Sequence, residues 1–178
     1  FGFSLAFGTY EVIWSLYLQD LGASVEWVGL TFALFGLPMM VVSPIAGRLV
    51  DRHGALPFVI GGGLTICVAG VVYALATEPL AATAMVPAEG VGEAFLLPGL
   101  FALVAFGSPS GRSSTAQGIF GAVGTIGLIV ATITSGLLWD LGRSWPFGFF
   151  VVGAGASLLL GLAVYRLGRG RVLLPAPA

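Results

Sequence analysis

This sequence predicts an all-α membrane protein of six transmembrane helices, and three observations carry that expectation. The 178 residues are 57% hydrophobic and only 8% charged, where soluble domains carry about a quarter charged residues. Mean hydropathy is +1.03, and no lysine is present beside the seven arginines and eight acids. The apolar residues fall into long runs, each near the roughly 20 residues that a helix needs to cross a bilayer core of about 30 Å. Alternation with a period of two is absent, so a transmembrane β-barrel is a poor fit.

The first span, 1–20, opens directly in an apolar segment at Phe1, and a polar stretch from Asp20 to Glu26 follows it. The second, 27–47, runs into a charged knot, Gly47-Arg48-Leu49-Val50-Asp51-Arg52-His53-Gly54, read here as a connection. The third, 55–77, contains the single Cys67 as a small packing residue and stops at Thr77-Glu78-Pro79. The fourth, 80–106, is followed by a connection from Gly107 to Ser114. The fifth, 115–138, carries Gly118, Gly121, Gly124, Gly127 and, further on, Gly136. Glycines at such spacing line one helix face and let a neighbouring backbone come close. Trp139 to Trp145 separates it from the sixth span, 145–167, and 168–178 forms a tail. Pro38, Pro44, Pro87 and Pro98 lie inside spans and are expected to break or kink them locally. The start lacks the basic region and small-residue cleavage site of a signal peptide, which suggests a chain that begins partway through a larger protein.

Arginines orient the spans. Arg48 and Arg52 lie in the second connection, Arg112 in the fourth, and Arg166, Arg169 and Arg171 at the C-terminal end, leaving only Arg143 on the other side. The positive-inside rule makes the crowded side cytoplasmic, with both ends of this segment there.

Three acids fall within spans: Glu11 in the first, Glu89 and Glu93 in the fourth. An ionised carboxylate at mid-bilayer costs several kcal/mol, so such groups face a cavity or a partner. Glu89 and Glu93, four residues apart, share one helix face. Glu89 lies nearer the extracellular end, where a partly wet carboxylate is ordinary. No basic residue lies within a span to neutralise them, so proton uptake or a cationic or hydroxyl-rich solute is the chemistry they suit. The bland alternative is hydrogen bonding between helices. Tyr10 and Trp14 flank Glu11, with Tyr17 a turn further on, and offer aromatic faces to a solute.

Enzymatic function classes fit poorly. The only histidine, His53, lies in the charged knot, whereas a serine nucleophile needs one at membrane depth. Ser135-Gly136 lacks the glycine two residues before the serine that a nucleophile turn requires. Asp20, Asp51 and Asp140 all map to connections, which leaves no intramembrane aspartyl pair. Metal-ligand clusters and phosphate-binding glycine loops are missing as well, so neither a metal nor a cofactor is expected.

The knot also resembles a family signature. Gly47, Asp51, Arg52 and Gly54 match the Gly-x-x-x-Asp-Arg-x-Gly loop between the second and third helices of a major facilitator superfamily half. Ala55 and Leu56 replace the basic pair that often follows, and Pro57 comes next. The segment 89–93 lacks the arginine common in the fourth helix of an N-terminal half, and 131–136 lacks the Gly-Pro-x-x-Gly-Gly element of many antiporters. The likeness is thus to a C-terminal six-helix half, with its transmembrane domain at 1–167.

That resemblance implies transport of a small solute across the cell membrane by alternating access, coupled to protons, with the substrate site shared with a missing N-terminal half. It places the first and fourth helices, and so Glu11, Glu89, Glu93, Tyr10 and Trp14, around the cavity. It gives Gly47, Arg48, Asp51, Arg52 and Gly54 to a cytoplasmic gate, Asp51 meeting a helix N-terminus of the other half. Lipid, solute, protons and the second half are the partners implied; nucleic acid is not. A small carrier acting as a homodimer and a non-transporting membrane scaffold are the rival readings.

Overall fold

The computed structural model describes residues 1–168; Arg169, Arg171 and nearly all of the expected tail lie outside the described residues. Six helices follow one another: α1 (Gly2–Asp20), α2 (Val25–His53), α3 (Leu56–Leu75), α4 (Pro79–Phe106), α5 (Ser113–Trp139) and α6 (Trp145–Gly168). No strand occurs among the described residues. All but α1 are long and apolar enough to cross a membrane.

One boundary differs in kind. The charged knot is helix, not loop: α2 continues through Gly47 to His53, and only Gly54 and Ala55 separate it from α3. Buried Ala46 and Val50 hold this end against the bundle, while Arg52 and His53 in the last turn suit the negative end of the helix dipole. The helix stops at Gly54, whose φ of 84° is left-handed and whose N–H still reaches the Val50 carbonyl at 2.9 Å. The prolines differ too. Pro38 and Pro44 lie within an unbroken α2, and Pro87 and Pro98 within an unbroken α4. Helices at membrane depth tolerate proline because neighbouring groups satisfy what its missing N–H frees.

Packing follows the small residues. α4 lies against both α2 and α3, α1 against α5 and α6, and α3 against α6, whereas α1 touches α2 only lightly. Helix backbones come close at Gly62 on the Gly92 carbonyl, Gly90 on the Phe35 carbonyl and Gly8 on the Leu128 carbonyl. The glycine face expected on the fifth span is only partly an interface within the chain. Gly124 and Gly127 meet Ser4 and Phe1 of α1, but Gly118, Gly121 and Gly136 face open space. Near the end of the bundle that carries Asp20, the core is aromatic: Tyr17, Tyr73, Phe147 and Phe150 are all fully buried. That end is also tied by polar contacts. Tyr17 donates to the Tyr73 carbonyl at 2.7 Å, Ser144 to the Ala74 carbonyl at 2.8 Å, and Arg143 pairs with Asp20 at 3.4 Å.

Candidate functional site

Because α1 and α2 scarcely meet, a cavity of about 410 Å³ opens between α1, α2 and α4. The five residues expected there line it together: Tyr10, Glu11, Trp14, Glu89 and Glu93. Helix periodicity explains the grouping, since Trp14 lies three and four residues from Glu11 and Tyr10 on α1, and Glu89 and Glu93 lie four apart on α4. Phe3, Phe7, Phe32 and Phe35 make the rest of the wall largely apolar, with Ser15 and Thr31 the other polar residues lining it. No arginine or histidine of the described residues lines the cavity.

The three acids stand in different surroundings. Glu11 is exposed at the edge of this cavity. Glu93 is 7% exposed and makes no hydrogen bond through its side chain among the described residues. Glu89 is the deepest, 4% exposed, and both of its carboxylate oxygens accept hydrogen bonds: Oε1 from the Tyr10 hydroxyl at 2.5 Å, Oε2 from the Tyr73 hydroxyl at 2.6 Å. The structure therefore does not make Glu89 a partly wet group at the membrane edge. Burying a carboxylate is tolerable where donors replace water on both oxygens, which the two phenols supply.

Aromatic rings hold those phenols in place. Tyr10 packs edge-on to Trp14 at 5.7 Å, Tyr73 at 6.0 Å and Phe150 at 5.3 Å. Trp14 lies 4.9 Å from Tyr73 and donates its indole N–H to Thr31 at 2.9 Å, which in turn donates to the Val28 carbonyl at 2.7 Å. This relay is a polar tie between α1 and α2 on the cavity wall. Sequence reasoning missed Tyr73, Thr31, Phe32 and Phe35. The available signal for Tyr73 was its hydroxyl in an apolar span, since a buried phenol requires an acceptor.

The charged residues on the last turns of α2 are far less enclosed. Arg48, Asp51, Arg52 and His53 are exposed, and none forms an ion pair among the described residues. They project from a continuous helix rather than a flexible hinge.

The sequence profile described as Major Facilitator Superfamily matches residues 1–177, nearly the whole chain. This chain belongs to the major facilitator superfamily. Within the superfamily it is similar to the Quinolone resistance protein NorA of Staphylococcus aureus (strain MRSA252), 26% identical over 145 residues, which cover 82% of this chain and 37% of that protein. It is also similar to Multidrug resistance protein 1 of Bacillus subtilis (strain 168), 28% identical over 151 residues, covering 84% of this chain and 38% of that protein. This superfamily member thus spans well under half the length of the curated relatives it matches.

Proposed function

We propose that this chain is one six-helix half of a cell-membrane transporter that moves a small, amphipathic, positively charged solute by alternating access with proton coupling. The observation that carries the reading is the cavity: three carboxylates, aromatic walls and no cationic side chain among the residues lining it. Aromatic faces and acids attract an organic cation together, the rings through their quadrupole and the carboxylates through charge. The names of the relatives, with their quinolone and multidrug resistance, agree with a solute of broad apolar character. Five apolar helices of membrane length support a multi-pass protein, and the arginine distribution supports both ends of this segment facing the cytoplasm.

On this reading the end of α2 carries the cytoplasmic gate. Exposed Arg48, Asp51 and Arg52, with Gly47 and Gly54 bracketing them, are available to a second half. The substrate cavity is likewise shared between halves, as in transporters built from repeats.

Proteoliposomes with an imposed pH gradient test this. Together with its second half, the protein is expected to move tetraphenylphosphonium or ethidium, and replacement of both buried cavity carboxylates, Glu89→Gln with Glu93→Gln, to abolish the gradient-driven component. The chain alone is expected to move neither. Robust transport by the isolated chain, or wild-type gradient-driven transport by the double variant, overturns the reading.

A further inference from the structure

Glu89 and Glu93 share a helix face and a cavity, yet their carboxylates are treated differently. Both oxygens of Glu89 are occupied, accepting from phenol hydroxyls at 2.5 and 2.6 Å. Glu93 has no side-chain hydrogen bond among the described residues. No fully buried side-chain oxygen is left without a partner either, so the oxygens of Glu93 reach the open space of the cavity.

The two phenols also differ. Tyr10 is part of the cavity wall, whereas Tyr73 stands behind it on α3, 1% exposed and absent from the lining. Tyr73 is boxed in by Trp14 at 4.9 Å and Phe147 at 5.7 Å, and its own carbonyl accepts from Tyr17. The titratable groups around Glu89 are Tyr10 and Glu11 from α1, Tyr73 from α3 and Glu93 from α4. α2 brings Thr31, Phe32 and Phe35 to the cavity, and α6 places Phe147 and Phe150 behind the tyrosines; none of these titrates.

We propose that the two carboxylates divide the work: Glu93 receives the positive charge of the solute, while Glu89 takes and releases the proton, with Tyr73 as its positioning residue. The proposal rests on the proton-coupled transporter reading above. A proton passing from hydronium in the cavity to a Glu89 oxygen breaks one O–H bond of the hydronium, leaving water, and forms one on the carboxyl, which then donates as well as accepts. The phenol facing the new O–H reverses its own hydroxyl and accepts. Tyr73 is 1% exposed and stands behind the wall whereas Tyr10 is part of it, so the reversal falls to Tyr10, and the arrival of the proton changes the hydrogen-bonding surface of the cavity wall. On release to water the Tyr10 hydroxyl donates again.

The experiment uses the protein assembled with its second half in nanodiscs and has two arms. In the first, without solute, the carboxyl infrared band is titrated with pH. Glu89→Gln removes one titrating component, and Glu93→Gln leaves that component in place. Tyr73→Phe moves its midpoint upward by about one pH unit, because a hydrogen bond to a charged group is lost. Tyr10→Phe does the same and guards against misfolding of either variant. In the second arm, tetraphenylphosphonium binding weakens by about tenfold in Glu93→Gln, by less in Glu89→Gln, and within about twofold in Tyr73→Phe at high pH. An unmoved midpoint in both tyrosine variants, or a larger loss of affinity in Glu89→Gln than in Glu93→Gln, overturns the proposal. Wild-type protein that binds no tetraphenylphosphonium overturns the cation reading and the role of Glu93 with it. The infrared arm separates that failure from a failure of the tyrosine clamp.

Discussion

Alanine at Gly62 and at Gly61 should have opposite effects, although the two glycines are neighbours on α3. A Cβ at Gly62 would stand 2.5 Å from the Gly92 carbonyl oxygen, 2.8 Å from Leu96 Cβ and 3.2 Å from Leu96 Cα. All three atoms belong to the backbone or the stem of α4, so no flexible side-chain tip can swing aside. Restoring an ordinary separation of at least about 3.4 Å requires α3 and α4 to part by about 0.9 Å, and overpacking on this scale costs about 1–3 kcal/mol. At Gly61 a Cβ meets nothing within 4 Å, so alanine there is expected to add helix propensity worth up to about 1 kcal/mol. Because Glu93 follows Gly92 directly, the displaced α4 carries the cavity carboxylate with it. The assay is SDS-induced unfolding of the detergent-solubilised protein, followed by far-UV circular dichroism, with tetraphenylphosphonium binding measured in parallel. Gly62→Ala should unfold at lower SDS and bind more weakly, and Gly61→Ala should match or exceed wild type. Equal behaviour of the two variants would refute the argument that the α3–α4 contact sets the position of Glu93.

The fully buried pair Thr9 and Ser135, 2.8 Å apart, ties α1 to α5. Thr9→Val or Ser135→Ala should each destabilise by about 1–3 kcal/mol, and the double variant by less than their sum, in the same unfolding assay. The half-exposed Arg143–Asp20 pair is expected to contribute less than about 1 kcal/mol, vanishing at high salt, when Arg143→Ala is compared with wild type. If the end of α2 forms the gate, Asp51→Asn should slow transport while leaving tetraphenylphosphonium affinity unchanged. If a second half packs on the open face of α5, Gly118→Cys should react with a maleimide in the chain alone and be protected in the assembled protein.

Hydropathy located the helices well because membrane length is a one-dimensional signal: each expected span overlaps one observed helix. It misjudged the end of α2 because charge marks where water begins, not where the backbone hydrogen-bond ladder stops. Gly47 does not end the helix, while Gly54 does, and the difference lies in a backbone angle rather than in composition. The cavity was legible in outline, since Tyr10, Glu11, Trp14, Glu89 and Glu93 were singled out by burial cost and helical spacing. Their ranking was not. Glu89 and Glu93 look alike in sequence, and what separates them is Tyr73, a residue of the preceding helix with no pattern of its own to connect it to a carboxylate 16 positions away. The α5 glycines fell short for a related reason. Spacing reveals a smooth face but does not say what lies against it, and at Gly118, Gly121 and Gly136 nothing in this chain does.

The unbroken course of α2 has a mechanical consequence. Phe35, on the cavity wall, and Asp51, among the exposed charges, are 16 residues apart on one helix, about 24 Å at 1.5 Å per residue. Pivoted near Phe35, a tilt of about 5° sweeps Asp51 through about 2 Å over that length, enough to make or break a hydrogen bond. Pro38 and Pro44 lie between the two points, and a bend at either one changes the leverage. On the proposed reading, the cavity wall around Phe35 and the exposed charge at Asp51 are therefore joined through one continuous helix, so that a small tilt at the first is magnified at the second.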